Sequence, residues 1–494
     1  MAILAIDQGT TSTKAYVWRD GRIHLVGRRT HRQIYPQAGW VEHDAEELVG
    51  HIAELAQTAG PAAAIGLANQ GETVVAWDAL TKRPLHNAIV WQDGRTAEDV
   101  NRLRSEGLEE MTLAHAGLPL DAYFSATKLR WLLDHTGGAR DLLRQGRLRL
   151  GTSDAFFLDR LTGVCATDPS TASRTSLMHL RDLQWDAELC RAFGVPIECL
   201  PEIRPTTGDF GMLGSSPVLA SIVDQQASLF GHGCQAPGDV KITFGTGAFA
   251  LGVCGDRPPA DRAPGLLSTC AWQLGHRPAQ YALDGGVLTA GAAIEWLGRT
   301  GLLNDVETLR GFAGPTALER GLIFVPALTG LGSPHWDHDA RGAWFGLDLS
   351  TGQDDLCRAV LEGIALRTAE IVAALSGSLG GLHRIAIDGG LTHSDYFVNF
   401  LAAALAQPVQ VAGSADVTAI GVLGLCLAAL GRDERPDSGG HRIIDPPKPL
   451  AASQHALFKE AISLSRKWGR ASRESGYPTA AAPSRPNTKQ SSAP

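Results

Sequence analysis

One short pattern occurs twice and constrains the chain more than anything else in it. The apolar run Ile3–Ile6 leads into Asp7-Gln8-Gly9-Thr10-Thr11-Ser12. Far downstream, Ile242-Thr243-Phe244 leads into Gly245-Thr246-Gly247. A short apolar run bounded by a glycine turn reads as a buried strand. Successive backbone N–H groups in such a turn form a nest for an anion, and the hydroxyls add donors. Gly9 and Gly245 are 236 positions apart in a chain of 494 residues. That spacing suggests two similar halves, each offering one turn to a phosphate between them.

The surrounding sequence alternates strand and helix signals. Lys14–Arg19 and Arg22–Arg28 flank Asp20-Gly21, a strong hairpin signal. Asp44 with Glu47 three residues on predicts a helix start, and Gly60-Pro61 predicts its stop near Ala59. Ala64–Ala68 and Thr73–Trp77 read as further strands. Ile385-Ala386-Ile387 ends in Asp388-Gly389-Gly390, with a helix expected from about Ser394 to Ala406. This alternation predicts an α/β protein. Gly231, Gly233, Pro237 and Gly238 cluster where a domain boundary is expected. From about Ala471 the chain is rich in Ser, Ala and Pro and is expected to be disordered.

Composition excludes several classes. The 44 basic and 52 acidic residues leave a net charge of −8, which argues against broad nucleic-acid binding. There are 56 glycines, a surplus over the usual ~7% that is expected in tight turns and ligand-approaching loops. The eight cysteines include no Cys-x-x-Cys pair and none has histidine at zinc-ligand spacing, so buried thiols in a reducing cytosol are expected. The apolar start is too short for a signal peptide, and the stretch Ala419–Leu430 is too short for a membrane span. The expectation is a cytoplasmic protein without membrane insertion; homo-oligomer formation stays open.

No Walker spacing follows Gly9 and no His-Arg-Asp loop is present, so any nucleotide site is of another kind. Asn69-Gln70-Gly71-Glu72, Trp91-Gln92-Asp93, Tyr123 and Val223-Asp224-Gln225 set amides, carboxylates and aromatic rings beside apolar segments. That chemistry suits a small polyhydroxyl ligand. Spacing alone does not make Asp224 a base, since a helix cap or ion-pair partner explains a lone aspartate equally well.

Longer runs carry a resemblance. AIDQGTTSTK from Ala5, QIYPQAGWVEHD from Gln33, NAIVWQDGRTAE from Asn87, YFSATKLRWLLDH from Tyr123, DQQASLFG from Asp224, TFGTGAF from Thr243, PALTGLGSPHWD from Pro326 and ARGAWFGLDLS from Ala340 occur in order. From Ile3 to about Trp468 the chain resembles the FGGY superfamily of carbohydrate kinases, most closely its glycerol-phosphorylating branch. The resemblance implies two actin-like, ribonuclease-H-like domains, residues 1–232 and 233–470, with an ATP cleft between them and a tail at 471–494. It implies ATP and Mg²⁺, and a small polyol phosphorylated to sn-glycerol 3-phosphate or a relative of it. Carried over by position, Asp224 is the general base, and Gly71, Glu72, Trp91, Tyr123, Gln225 and Phe249 line the substrate pocket. Thr10, Thr11, Ser12, Lys14, Thr246, Gly291, Glu295, Gly390 and Ser394 belong to the nucleotide site, and Asp7 to the metal.

The sequence departs from the family pattern in several places. Gly71 and Gly94 stand where the family has arginine, Lys14 replaces another arginine, and Glu295 and Ser394 replace amides. Glycine cannot supply an arginine's donor fork. Gly71 is therefore expected to enlarge the pocket, which leaves room for a longer polyol or ketose as the alternative substrate. A non-enzymatic actin-like ATP-binding scaffold is a third reading, but it does not account for Glu72, Trp91, Tyr123 and Asp224 occurring together.

Overall fold

A computed structural model describes residues 1–259, 262–414, 416–436 and 439–476. Its first half opens with β1 (Ala2–Gln8), β2 (Ser12–Arg19) and β3 (Arg22–Thr30), an antiparallel ribbon. Helix α1 (Ala45–Ala59) follows with the expected ends. The Asp44 carboxylate accepts from the N–H groups of Glu46 (2.9 Å) and Glu47 (3.3 Å), and Gly60 closes the helix at a φ of 75°. Strands β4 (Ala64–Asn69) and β5 (Ser216–Val223) then add in parallel beside β1. With a two-residue edge strand at Met212–Leu213, the sheet order is edge, β5, β4, β1, β2, β3. Helix α2 (Asp224–Gly231) starts immediately after β5.

The second half repeats the scheme. Strands β6 (Asp239–Phe244), β7 (Ala248–Gly255), β8 (Leu267–Trp272) and β9 (Gln280–Val287) pair antiparallel in the order β8, β9, β7, β6. After α3 (Gly291–Arg299) and the long α4 (Gln353–Leu379), β10 (Arg384–Gly389) pairs parallel with β6. Helix α5 (Asp395–Leu405), β11 (Val409–Ala412), α6 (Val417–Ala429), β12 (His441–Ile444) and α7 (Ala452–Glu474) complete it. Each sheet thus joins an antiparallel ribbon to parallel strands at the strand that precedes a Gly-Thr turn. The expected disorder from residue 471 needs correction at its start, because α7 continues through Ala471 to Glu474; residues 477–494 lie outside the described residues.

Parallel strands that end together concentrate ligand-facing loops at one sheet edge. Gln8 is in register with Asn69, and Asn69 with Val223. The turns Gly9–Ser12 and Gln70–Glu72 and the start of α2 at Asp224–Gln225 therefore emerge side by side. Phe244 and Gly389 are likewise in register, so Gly245–Gly247 and Gly389–Gly390 emerge together from the second sheet. Gly389 has φ 98°, and a Cβ there would meet the Phe244 carbonyl oxygen at 2.2 Å. That contact leaves no room for a side chain.

The apolar run around Ala419–Leu430 becomes α6, which packs on β1, β4, β5 and α2. No helix among the described residues is long and apolar enough to cross a membrane. The eight cysteines are free thiols, six of them buried. Helices α2 and α6 touch backbone to backbone. A Cβ on Gly421 would lie 1.9 Å from the Ala227 carbonyl oxygen, and one on Gly231 2.1 Å from that of Val417. Gly66 of β4 gives way in the same manner to Val422 and Cys426.

Overpacking a filled interior destabilises by about 1–3 kcal/mol. Gly421→Ala should therefore lower the melting temperature by several degrees. Gly50→Ala, on the exposed face of α1 with nothing within 4 Å of the new Cβ, should be neutral or stabilising by up to ~1 kcal/mol. Equal melting temperatures for the two variants in a thermal scan would show that the helix crossing is not tight.

Candidate active site

The loops gathered by the two sheets enclose a cavity of about 180 Å³. Thr10, Gly71, Glu72, Trp91, Tyr123, Asp224, Gln225, Thr246 and Phe249, all expected from sequence, line it. The aromatic residues form one wall: the Trp91 ring meets Tyr123 edge-on at 5.7 Å and Phe249 at 6.3 Å. Trp91 Nε1–H also donates to the Thr10 hydroxyl at 3.0 Å, tying that wall to the first Gly-Thr turn.

Asp224 is the first residue of α2, where the aligned peptide dipoles favour negative charge. Burial nevertheless dominates, and with the nearby Asp7 and Glu72 carboxylates it pushes Asp224 up to about 7 against the pull of Lys241. Asp7, at the end of β1, is pushed up to about 6 by burial and by Asp416, opposed by Lys14. Lys241 is fully buried beneath the cavity and donates to Gln225 Oε1 (2.5 Å) and to the Thr243 hydroxyl (3.0 Å). Ser228 Oγ and His232 Nε2 reach Asp388 Oδ2 at 3.0 and 2.7 Å, continuing the buried polar chain to the end of β10.

Two cavity residues have no counterpart in the sequence reading. Arg174 donates from Nε to Glu72 Oε1 at 2.6 Å, and its Nη2 lies 3.0 Å from Asp284 Oδ2. Burial opposes the Arg174 charge, but Glu72 and Asp284 outweigh it and raise its pKa. Both carboxyls are themselves held above their ordinary range by burial, partly relieved by Arg174. Arg174 Nη1 and Asp284 Oδ1 are buried without a hydrogen-bond partner among the described residues. A signal for Asp284 existed: Leu283-Asp284-Gly285-Gly286 repeats the Asp-Gly-Gly pattern of residues 388–390. Arg174 is a lone guanidinium within the hydroxyl-rich run Ser170–Ser176, and only tertiary convergence gives it meaning.

Gly71 does not open the pocket as expected. A Cβ there would meet Val223 Cγ2 at 2.8 Å, and the Arg174 side chain passes 4.0 Å away. The space is occupied, and the guanidinium comes from Arg174. Glu72 holds its place at a φ of 57°, in the left-handed region, with Thr73 N–H donating to the Gly71 carbonyl across it at 2.7 Å. Non-glycine residues in that region cluster at functional sites, where surrounding structure imposes them. Gly94 is exposed and outside the cavity, in a turn whose N–H donates to the Gly39 carbonyl at 2.9 Å.

The remaining expected residues lie around the cavity. Thr11 and Thr246 are exposed, while Ser12 is buried on β2. The Thr246 carbonyl accepts from Ala290 and Ala292 at 3.0 Å each, and Gly291 packs against Gly245 so closely that a Cβ would sit 2.5 Å from its oxygen. Gly390 is exposed at the end of β10. Lys14 Nζ is engaged with Asp416 Oδ1 at 3.2 Å, and the Tyr16 hydroxyl donates to the same carboxylate. Glu295 is exposed on α3. Ser394 caps α5 by accepting from Phe397 N–H at 3.1 Å and donates its only hydroxyl hydrogen to the Leu309 carbonyl.

Residues 2–231 match the N-terminal domain of the FGGY family of carbohydrate kinases, and residues 240–430 match its C-terminal domain. The chain belongs to the FGGY family of carbohydrate kinases. A glycerol kinase from Thermus brockianus is 42% identical over 490 residues, covering 94% of this chain and 99% of the relative. One from Halorhodospira halophila is 43% identical, covering 87% and 88%. Among solved structures, Plasmodium falciparum glycerol kinase with ADP superposes at a TM-score of 0.85 with 29% identity, over 94% of this chain and 98% of that one. Xylulose kinase from Lactobacillus acidophilus shares the fold at a TM-score of 0.81 and 21% identity, over 96% and 99%. This FGGY kinase is a phosphotransferase with an alcohol acceptor.

Removing one partner of a buried ion pair costs about 3–5 kcal/mol, because the other charge stays buried. Arg174→Met should lose stability on that scale and raise KM for the acceptor. Calorimetry and steady-state kinetics on the folded fraction check both; an unchanged KM would separate Arg174 from the ligand.

Proposed function

We propose that this chain transfers the γ-phosphoryl group of ATP to a primary hydroxyl of glycerol, giving sn-glycerol 3-phosphate. The observation that carries the reading is the cavity itself, where Asp224 meets both Gly-Thr turns. At about 180 Å³ it is smaller than the ~300–1,000 Å³ of sites for drug-sized ligands. That size, the filled space above Gly71 and the 40%-level similarity to glycerol kinases favour a three-carbon acceptor over a longer polyol or ketose.

In this reading Asp224 accepts the proton of the attacking hydroxyl as its oxygen bonds to the γ-phosphorus and the bond to the β-phosphate oxygen breaks. A base with a pKa near the working pH suits this task. Glu72, Arg174 and Gln225 orient the hydroxyls, with Gln225 fixed by Lys241. Trp91, Tyr123 and Phe249 cover the carbon chain. Thr10, Thr11, Ser12, Lys14 and Thr246 hold the phosphates, because positioning and charge stabilisation account for most of the rate in phosphoryl transfer. Gly291, Glu295, Gly390 and Ser394 border the rest of the nucleotide, Ser394 through the turn it caps. The division at residues 232 and 233 places one phosphate turn on each domain.

The acidic donor set also fits a hard divalent cation. Burial raises the proton affinity of both Asp7 and Asp224, with Asp416 adding to it at Asp7 and Asp7 adding to it at Asp224, as in carboxylates awaiting a cation. Asp7 would hold Mg²⁺, which when bound neutralises charge on the transferring phosphates.

ADP release with Mg²⁺-ATP and a panel of glycerol, four- and five-carbon polyols and ketoses tests the substrate. The highest kcat/KM is expected for glycerol; a higher value for a five-carbon ketose would replace it.

Asp224 acts unprotonated, so kcat/KM should fall about tenfold per pH unit below a pH near 7. Asp224→Asn should cost ~10²–10⁴ in kcat and remove the acid limb. The folded pKa lies above the unfolded one, so the group stabilises the fold at acid pH, and this is lost as pH rises through about 7. Asp224→Asn should therefore melt higher than wild type at pH 8. A variant keeping a tenth of wild-type kcat would remove Asp224 as the base.

A further inference from the structure

Away from the cavity, three side chains from separate elements meet at the surface of the first half. His115 ends the helix Glu109–His115, His179 lies on the short strand Met178–His179, and Asp186 precedes the helix Ala187–Phe193. Among the described residues they form the one group of three or more His, Cys, Asp or Glu whose ligating atoms lie within 4.8 Å of one another. We propose that His115, His179 and Asp186 bind a zinc-type transition-metal ion, with Asp182 or water in the fourth position.

The backbone sets this geometry. Leu180 N–H donates to the His115 carbonyl at 2.9 Å, and Asp186 N–H to the Leu177 carbonyl at 2.8 Å, so the three segments are stitched beside one another. Asp186 Oδ1 accepts from Glu188 and Leu189 N–H at 2.7 and 3.0 Å, which fixes its carboxylate and leaves Oδ2 facing the histidines. Outer hydrogen bonds of this kind orient metal ligands. His115 Nδ1 lies 2.8 Å from Asp186 Oδ2. His179 Nδ1 lies 2.8 Å from Asp182 Oδ2, close enough to pair with it, but makes no hydrogen bond among the described residues. The two imidazoles meet nearly perpendicular at 5.4 Å, and Asp182 stays largely exposed.

Zinc ligands at 2.0–2.2 Å in a tetrahedron lie roughly 3.3 Å apart. Side-chain rotations of about an ångström bring the present atoms to that spacing. Two imidazoles with carboxylate select zinc, cobalt, nickel or copper over Mg²⁺ and Ca²⁺, which prefer all-oxygen shells. The site is thus separate in place and in chemistry from the acidic end of β1. Coordination through His115 Nδ1 takes the ring in the tautomer with its hydrogen on Nε2, so the contact with Asp186 Oδ2 is exchanged for the metal and a neutral imidazole and a carboxylate serve as ligands. The bound ion staples residues 177–187 to the end of the helix at His115, a few residues beyond Arg174.

Calorimetric titration of ZnCl₂ into the full chain, stripped of metal and free of nucleotide, tests this. The comparison is His179→Ala combined with Asp186→Asn; asparagine still caps the following helix. Wild type should take up one zinc equivalent more than this variant, and Co²⁺ should give the visible absorption of a four-coordinate site only in wild type. His115→Gln alone should weaken that equivalent at least tenfold and serves if the double variant does not fold. Equal zinc stoichiometry and affinity in wild type and a folded, catalytically active variant would overturn the proposal. So would Mg²⁺ binding there as tightly as Zn²⁺.

Discussion

Helices α2 and α6 cross backbone against backbone at Gly231 and Gly421, and the rest of the architecture depends on that crossing. Gly231 faces the Val417 carbonyl and Gly421 faces the Ala227 carbonyl, each closer than any Cβ allows. Backbones that approach this closely interlock rather than slide, because close-packed interiors transmit displacement instead of absorbing it. Helix α2 begins at Asp224, and α6 lies on β1, β4 and β5, the strands that lead into the first Gly-Thr turn, Glu72 and Asp224. A helix from the second half of the sequence therefore sets the height of Asp224 above the sheet of the first half. Gly66, which admits Val422 and Cys426 to β4, belongs to the same device.

Charge is distributed around the cavity so that no buried ion stands alone, yet some stay partly unsatisfied. Arg174 lies between Glu72 and Asp284, and Lys241 supports Gln225 while facing Asp224 and Asp388. Buried ion pairs of this kind contribute little net stability, since desolvation offsets attraction. Arg174 Nη1 and Asp284 Oδ1 keep free valences among the described residues. The same burial that weakens Asp224 as an acid makes it costly to ionise, so the groups that suit the proposed chemistry oppose the fold at alkaline pH. Stability is commonly lowered at sites held ready for a reaction.

Local features were the most legible in the sequence. Asp44 and Gly60 bound α1 because capping is decided within a few residues. The twin Gly-Thr turns announced two matching sheets because strand and turn chemistry repeat together. Glu72, Trp91, Tyr123, Asp224 and Phe249 were legible as one pocket only through the longer resemblance, since about 180 residues of chain separate the first from the last. Arg174 and Asp284 were missed because nothing near them in sequence shows that they meet. Gly71 misled for a related reason: the absence of a side chain was read as space, whereas Val223 and Arg174 fill it from other segments. Ser394 likewise reads as a ligand donor by position, but its hydroxyl is committed to capping α5 and to Leu309.

Lys14 shows how the two halves are joined at the cleft as well as at the helix crossing. Its ammonium and the Tyr16 hydroxyl both reach Asp416, the residue that precedes α6. With side-chain exposures of 31% and 34%, the Lys14–Asp416 pair is screened and contributes roughly 0–1 kcal/mol. Both partners remain in contact with water, so in the proposed reading little free energy holds this ammonium back from an anion on the Gly9–Ser12 turn. The Tyr16 bond is different in kind: burial and Asp416 raise the phenol's pKa beyond any physiological range, so the hydroxyl keeps its proton and the link to Asp416. The weak Lys14 pair can thus open while Tyr16 keeps β2 tied to the start of α6, and through α6 to the helix that carries Asp224.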